Sequence, residues 1–501
     1  MSTITRDIAT TLTTMASVCL LTVSVYAAEI TWDAGGAPDT NWSTPTNWSD
    51  DLDPAGDDIA FDSTGLAASG TTNTVDQDHT VSSLKYQYID SSNWHTTEIP
   101  ESVTLTVDGV DGVLVGDQID GKTAKTNVAV TGEGTLVVDN PSAKIRVFNR
   151  STATTYPTGT GNATHMATLN LSDLNTFEAE VASLEVGVGE GSNTYARGSL
   201  YLAENNTVTA DEIQVGRQSG YLNDAGHLYL GKNNTLNADM IGVGTTASGS
   251  GGGYGYVEFA PGPSNPQVTI RGKNGGETRA DMEVGTIIIS GTTSRAMIGD
   301  VDLTGGSVDA LLGTLRIGYN QYAGANYHST GTLSFDEGVV DATTIELGRK
   351  SAGPGRGTIT VGADATLRAD TMTLASIASQ YYSQHDARGT INLNGGVLEA
   401  KTVQLGTSYS GHTQIATVNF NSGTIRNKAD GNLAITDMTT FNLDDPGASH
   451  VFDAQEGYTI SVNSAMSGDG GFTKTGLGTL DLTRDNTYTG NTTVSGGTLS
   501  L

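Results

Sequence analysis

The residues that could do chemistry in this chain are its acids. Of 501 residues, 55 are Asp or Glu against 25 Lys and Arg, with 8 His, giving a formal charge of −30. Cleaving a polysaccharide needs two carboxylates, or a carboxylate and a base, converging on one bond. Glu212, Asp309, Asp341, Glu346 and Glu399 fall at outward positions of similar segments. In so acidic a chain, abundance alone does not pair them. His385 and His412 lie 27 positions apart, so adjacent loops could bring them together, although two solvated loop histidines is the simpler reading. No H-x-H or H-E-x-x-H spacing offers a zinc site. Asp57, Asp58 and Asp62 lack the spaced ligands of a calcium loop, and the D-G-x-D-G at 108–112 reads as a turn. No glycine-rich phosphate cradle is present. We therefore assign no catalytic, metal or cofactor-binding residue and expect no cofactor. Nucleic acid is excluded as a partner, because binding it needs basic patches.

A second chemistry is surface contact. Variable loops rich in Gly, Ser, Asn and Tyr recur at one position of a repeat, so they should emerge on one side of the molecule. They collect Tyr195, Tyr221, Tyr254, Tyr319, Tyr322, Tyr327, Tyr381, Tyr382 and Tyr409. Such a composition makes an adaptable binding surface. The candidate ligand contacts are Tyr319, Tyr322, Tyr327, Tyr381 and Tyr382. The competing reading is that the tyrosines stack on one another to hold the loops down.

The elements that position these loops are short strands. Gly389–Gly406 reads G-T-I-N-L-N-G-G-V-L-E-A-K-T-V-Q-L-G, and related segments open at Gly198, Gly226 and Gly331. Each has three runs of alternating apolar residues, and period two means a strand with one buried face. The third run ends in an aliphatic residue and Gly at Gly187, Gly216, Gly244, Gly318, Gly348 and Gly406. Neighbouring steps of 28 to 30 are too short for a propeller blade and mark a solenoid. The second run ends in Ala at 179, 210, 238, 310, 342, 369 and 400. A recurring small residue beside a turn predicts an inside corner. The fold class is all-β: a right-handed parallel β-helix of about 28 residues per coil with an N-terminal cap. One coil cannot bury its own apolar face, so stability must come from stacking.

Residues 1–27 read as a signal peptide, with an apolar run too short to span a membrane. Cys19, the one cysteine, lies inside it, so the mature chain has no disulfide and no transmembrane segment is expected. Residues 28–95 hold Trp32, Trp42, Trp48 and Trp94 and read as a cap with the first coils, a Trp-lined sugar site being the sharper alternative. Residues 96–451 are the coils with loops.

Residues 452–501 change character and carry a specific resemblance. Gly470-Gly471-Phe472-Thr473-Lys474-Thr475-Gly476 and Asn486-Thr487-Tyr488-Thr489-Gly490 are similar to the passenger-associated transport repeat, also called the autotransporter-associated β-strand repeat. Gly470, Gly471, Lys474, Gly476, Asn486, Tyr488 and Gly490 carry it. Phe472 stands where the family usually has Leu, and Asp485 where it has Gly or Ala. The resemblance implies an exported β-helix, with this repeat assisting passenger folding or transport, and it implies no catalytic residue. The chain ends on T-L-S-L in mid-strand pattern, which reads as a truncation ahead of further coils or a barrel. The function expected is a secreted or outer-membrane-associated structural passenger, adhesive in one version. The alternatives are a carbohydrate-binding surface protein using the loop tyrosines, and a polysaccharide lyase or glycosidase on the same scaffold. The expected partners are extracellular polysaccharide or other surface proteins.

Overall fold

The computed structural model describes residues 29–62, 71–87, 94–116, 126–151, 166–189, 195–217, 226–246, 252–288, 296–321, 327–380 and 383–501. The leader, Tyr221, Tyr322, Tyr381 and Tyr382 lie outside these residues. The described chain is nearly all β and forms a parallel solenoid of about 13 turns, with coils about 29 residues apart. Among the described residues no helix is long and apolar enough to cross a membrane.

Alternation drives the winding. In Met297–Ile317 the residues Val301, Leu303, Val308, Leu312, Leu315 and Ile317 are all buried, and their neighbours in sequence face outward. Each long segment bends at two corners and pairs in parallel register with the next. Leu333 sits on Ile359, Ile359 on Ile391, and Ile391 on Val418. Like residues stack on like, so the buried apolar positions form one continuous core cluster. Parallel pairing also satisfies backbone groups that an isolated coil would leave open.

The inside corner is a small-residue column over much of the molecule. Ala210 stacks on Ala238, and Ala342 on Ala369 and then Ala400. Two expected members are displaced. Ala179 faces Val208 and Ala310 faces Val340, while Val181 and Leu312 occupy the corner itself. Those coils place two further residues before the bend, which single-coil spacing does not reveal.

The three N-terminal tryptophans face inward. Trp32, Trp42 and Trp48 are no more than 1% exposed. Trp48 meets Trp32 and Trp42 edge-on with ring centroids 5.1 and 5.2 Å apart, and Phe61 and Tyr86 stack beneath. Trp42 Nε1 donates to Asn73 Oδ1 (2.6 Å), and Trp48 Nε1 to the Trp42 carbonyl (2.9 Å). These rings plug the first coil and are closed to a sugar, whereas Trp94 is 43% exposed. Burial pushes His95 down to about 3, so it packs as a neutral ring.

Candidate functional site

The loops leave the helix through a defined gate. Gly187, Gly216, Gly244, Gly285, Gly318 and Gly348 all have positive φ and stack in one column, which Ala375 (φ 58°) continues. Gly285 and Ala375 were hidden in sequence, one inside V-G-T and the other by its identity as Ala. A partner column of Gly198, Gly226, Gly255, Gly299, Gly331, Gly357 and Gly389 takes the chain back. The columns touch. A Cβ on Gly348 would lie 1.7 Å from the Arg388 carbonyl oxygen, and one on Gly357 would lie 2.8 Å from the Gly348 nitrogen. At the glycine positions only backbone fits in the neck, so each loop can vary in length while the coil closes behind it.

The loop stems also stack. The Ile287 N–H donates to the Tyr319 carbonyl, Asn320 to Arg349, Lys350 to Ser376, and Ile377 to Thr407, all between 2.8 and 2.9 Å. Tyr319 is 5% exposed, its ring lies between the guanidinium groups of Arg316 (5.1 Å) and Arg349 (4.7 Å), and Arg349 donates to its hydroxyl. This tyrosine supports the stem and does not face solvent. Tyr327 is half-buried, and its carbonyl accepts from Asn320 Nδ2 (3.0 Å). Tyr409 is 44% exposed and packs edge-on to His412, whose Nε2 lies 3.1 Å from the Gln380 carbonyl. Burial, with the positive fields of Lys350 and His328, holds His385 below the usual histidine range.

The outward acids hold ion pairs. Glu212 pairs with Arg217 and Asp309 with Arg271. Arg316 bridges Glu283 and Glu346. Asp341, Arg368, Glu399, Arg426 and Asp453 occupy one column in register. Arg368 reaches Asp341 (3.4 Å) and Glu399 (3.0 Å), and Arg426 reaches Glu399 (2.7 Å). Burial would lower Arg368, but the hydrogen bonds and charges of Glu399 and Asp341 outweigh it and raise it. Acids alternating with guanidinium groups on successive coils are stacking hardware. Among the described residues no three His, Cys, Asp or Glu side chains are grouped to hold a metal.

The C-terminal motif is hardware of the same kind. Lys474 is fully buried, and its Nζ donates to the carbonyls of Thr475 (2.5 Å), Gly476 (3.0 Å) and Gly496 (3.2 Å). Gly476 turns the corner at φ 71°, and a Cβ on Gly471 would strike the Asn491 carbonyl at 2.1 Å. A Cβ on Gly470 would lie 2.8 Å from the Leu443 carbonyl, and one on Gly490 2.2 Å from the Gly471 nitrogen. Asn486 Oδ1 accepts from the Met466 N–H (2.9 Å), and Tyr488 packs on Phe472 with centroids 5.5 Å apart. Each motif residue fixes a bend or joins one coil to the next.

One surface feature escaped the loop-centred reading. Tyr201 and Tyr229 stack at 4.1 Å on a strand face, and His227 stacks on Tyr256 at 4.6 Å. The aligned G-S-L-Y-L and G-H-L-Y-L already place the two tyrosines at one repeat position.

Comparison with known proteins agrees with this architecture. Residues 472–501 match the family described as Passenger-associated-transport-repeat. Over 205 residues the chain is 28% identical to the Adhesin BmaC autotransporter of Brucella suis biovar 1 (strain 1330), a match that covers 39% of this chain and 5% of that protein. No solved structure matches. The coils from Phe472 onward thus carry a passenger-associated transport repeat, a repeat of exported cell-surface or extracellular proteins, and part of the remaining chain is similar to an autotransporter adhesin of which this chain spans only a small share.

Proposed function

We propose that this chain is a non-catalytic adhesive passenger: a stacked rod that presents a row of variable loops to a neighbouring surface. The observation that carries this reading is the double glycine column, which sends the loops out at one corner on consecutive coils. Weak contacts repeated along a rigid rod gain avidity without any strong single site. The similarity to a protein named an adhesin supports the reading. Engagement of the outward acids in ion pairs favours scaffold over enzyme. The proposed contacts are Tyr322, Tyr327, Tyr381 and Tyr382.

The test is adhesion of beads coated with the chain to cells and to matrix-coated plates. A variant with 322–326 and 379–384 replaced by Gly-Ser segments is run in parallel. Adhesion by the native chain that falls at least fivefold in a variant of unchanged melting temperature is the expected result. Equal adhesion by both would remove the loops from the function.

A further inference from the structure

Two outward columns run along one strand face of the solenoid. The first is Thr168, Ser199, His227, Tyr256, Asp300, Thr332, Thr358, Thr390, Thr417 and Thr440. The second, two residues further along each strand, is Asn170, Tyr201, Tyr229, Glu258, Asp302, Ser334, Thr360, Asn392, Asn419 and Asn442. Nine steps at the ordinary strand spacing make a face about 43 Å long.

Neither column contains a Lys or Arg. The adjacent face carries the Asp341–Arg368–Glu399–Arg426 ladder, so the contrast is between neighbouring sides of the same coils. Arg356 and Arg388 border the face on the loop side, where both pair with Asp386. Along the face the chemistry falls into three zones. After Thr168 and Asn170, aromatic rings lead, at Tyr201, Tyr229, His227 and Tyr256. Three acids follow, Glu258, Asp300 and Asp302. Hydroxyls and amides then continue to Thr440 and Asn442. Asn419 donates to Asn392 (2.8 Å) and Asn442 to Asn419 (3.2 Å), which fixes the amides in a row. Beside the aromatic zone, a cavity of about 390 Å³ opens at the corner following Tyr201 and Tyr229, lined by Leu202, Glu204, Lys232, Pro261 and Pro263.

We propose that this face is a docking track for a neutral polysaccharide chain lying along the solenoid axis. The stacked rings form an apolar strip against which the hydrophobic C–H patches of a sugar chain can lie. From Glu258 onward, carboxylates, hydroxyls and amides offer acceptors and donors to sugar hydroxyls, whereas Thr168 and Ser199 at the N-terminal end of the track are buried. A chain carrying −30 with no cation in the track repels an anionic polymer. A second copy docking here would bring Glu258, Asp300 and Asp302 against like charges, so a sugar polymer fits better than self-pairing. The track lies on a strand face and stands beside the loop-borne adhesion, so either can fail alone.

The test is native gel electrophoresis of the full chain in gels containing xyloglucan, glucomannan, laminarin or polygalacturonate. Retardation by at least one of the three neutral polymers, and none by polygalacturonate, is expected. Tyr201→Ala/Tyr229→Ala should weaken binding about tenfold, and Thr390→Arg, at the far end of the track, about threefold. The loop-replaced variant should bind like the native chain. Free migration in all three neutral gels would overturn the proposal, as would equal retardation by polygalacturonate. Undiminished binding by both variants at unchanged melting temperature would do the same. Loss of binding in the loop-replaced variant alone would assign the sugar to the loops.

Discussion

The loop-bearing coils and the C-terminal coils solve the same stacking problem differently. In the middle, stacked Thr314, Thr344, Thr371 and Thr402 are 30, 27 and 31 positions apart. Near the C-terminus, stacked Thr459, Thr479 and Thr498 are 20 and 19 apart. About ten residues per turn have gone, and with them the glycine gate. The interior changes too. The middle is filled by Leu, Ile, Val and the Ala corner, whereas the end is filled by Phe420, Phe452, Phe472 and Tyr488 meeting edge-on at 5.2 to 5.6 Å. A shorter coil supplies fewer inward side chains, and larger rings occupy the same cross-section. The middle opens the corner after its third run to release a loop, whereas the end ties the other bend, continuous with the Ala corner, through Lys474 on three carbonyls. The middle is thus built to tolerate variation and the end to resist it.

The sharpest way to break this comparison is at the gate. Gly348→Val puts a branched side chain where even a Cβ meets a carbonyl at 1.7 Å, and it should cost more than about 4 kcal/mol locally. Gly457→Ala, at a C-terminal turn with φ 82° and nothing within 4 Å, should cost only about 1–2 kcal/mol for its left-handed backbone. Hydrogen exchange resolved by segment is the appropriate measurement, because stacked repeats need not unfold in one step.

At the other end, Lys474→Met leaves three carbonyls without their donor and should cost about 2–4 kcal/mol. Faster exchange should appear in Thr479–Leu482 and be absent from Met297–Ile317. A uniform loss across both would show that the two regions are one cooperative unit.

A pH titration extends the contrast to the N-terminal plug. His79 and His95 are both held below the ordinary histidine value, chiefly by burial, with Asp53, Asp76 and Asp78 partly offsetting this for His79. The unfolded chain therefore binds protons that the folded plug refuses. The stability that His95 contributes is complete above about pH 6.5 and declines as pH falls toward about 3, by up to about 1.4 kcal/mol per unit, and His79 acts in the same direction. Trp32, Trp42 and Trp48 lie in this plug, so tryptophan emission should shift red at a higher pH than exchange in the C-terminal coils rises. His95→Phe should flatten the difference.

The smallest effect is expected in the charge column shared by both regions. Glu399→Gln removes the carboxylate between Arg368 and Arg426 and should cost about 1 kcal/mol, less at high salt. A melting temperature unchanged at low salt would reduce the column to a surface ornament.

Much of the architecture was legible in one-dimensional spacing. Alternation fixed strands, aliphatic-Gly pairs gave the coil length, and G-G-F-T-K-T-G identified the C-terminal repeat. The Ala corner was legible only where coils have equal strand lengths, so Ala179 and Ala310 were set at the bend although they lie two residues before it. The candidate site was less legible. Tyr319 has the composition of a loop contact, yet it packs between two guanidinium groups, and no local pattern distinguishes these fates. Glu399 and Asp341 looked like loose acids because their partners lie 27 to 31 residues away, on the next coil.

By itself the sequence determined the period, the buried face of each run and the class of turn, because these depend on residues a few positions apart. Only the tertiary structure decided which outward residues become neighbours. Loop lengths vary from coil to coil, so the register that joins Tyr256 to Asp300 is set when backbones pair and not by counting along the chain.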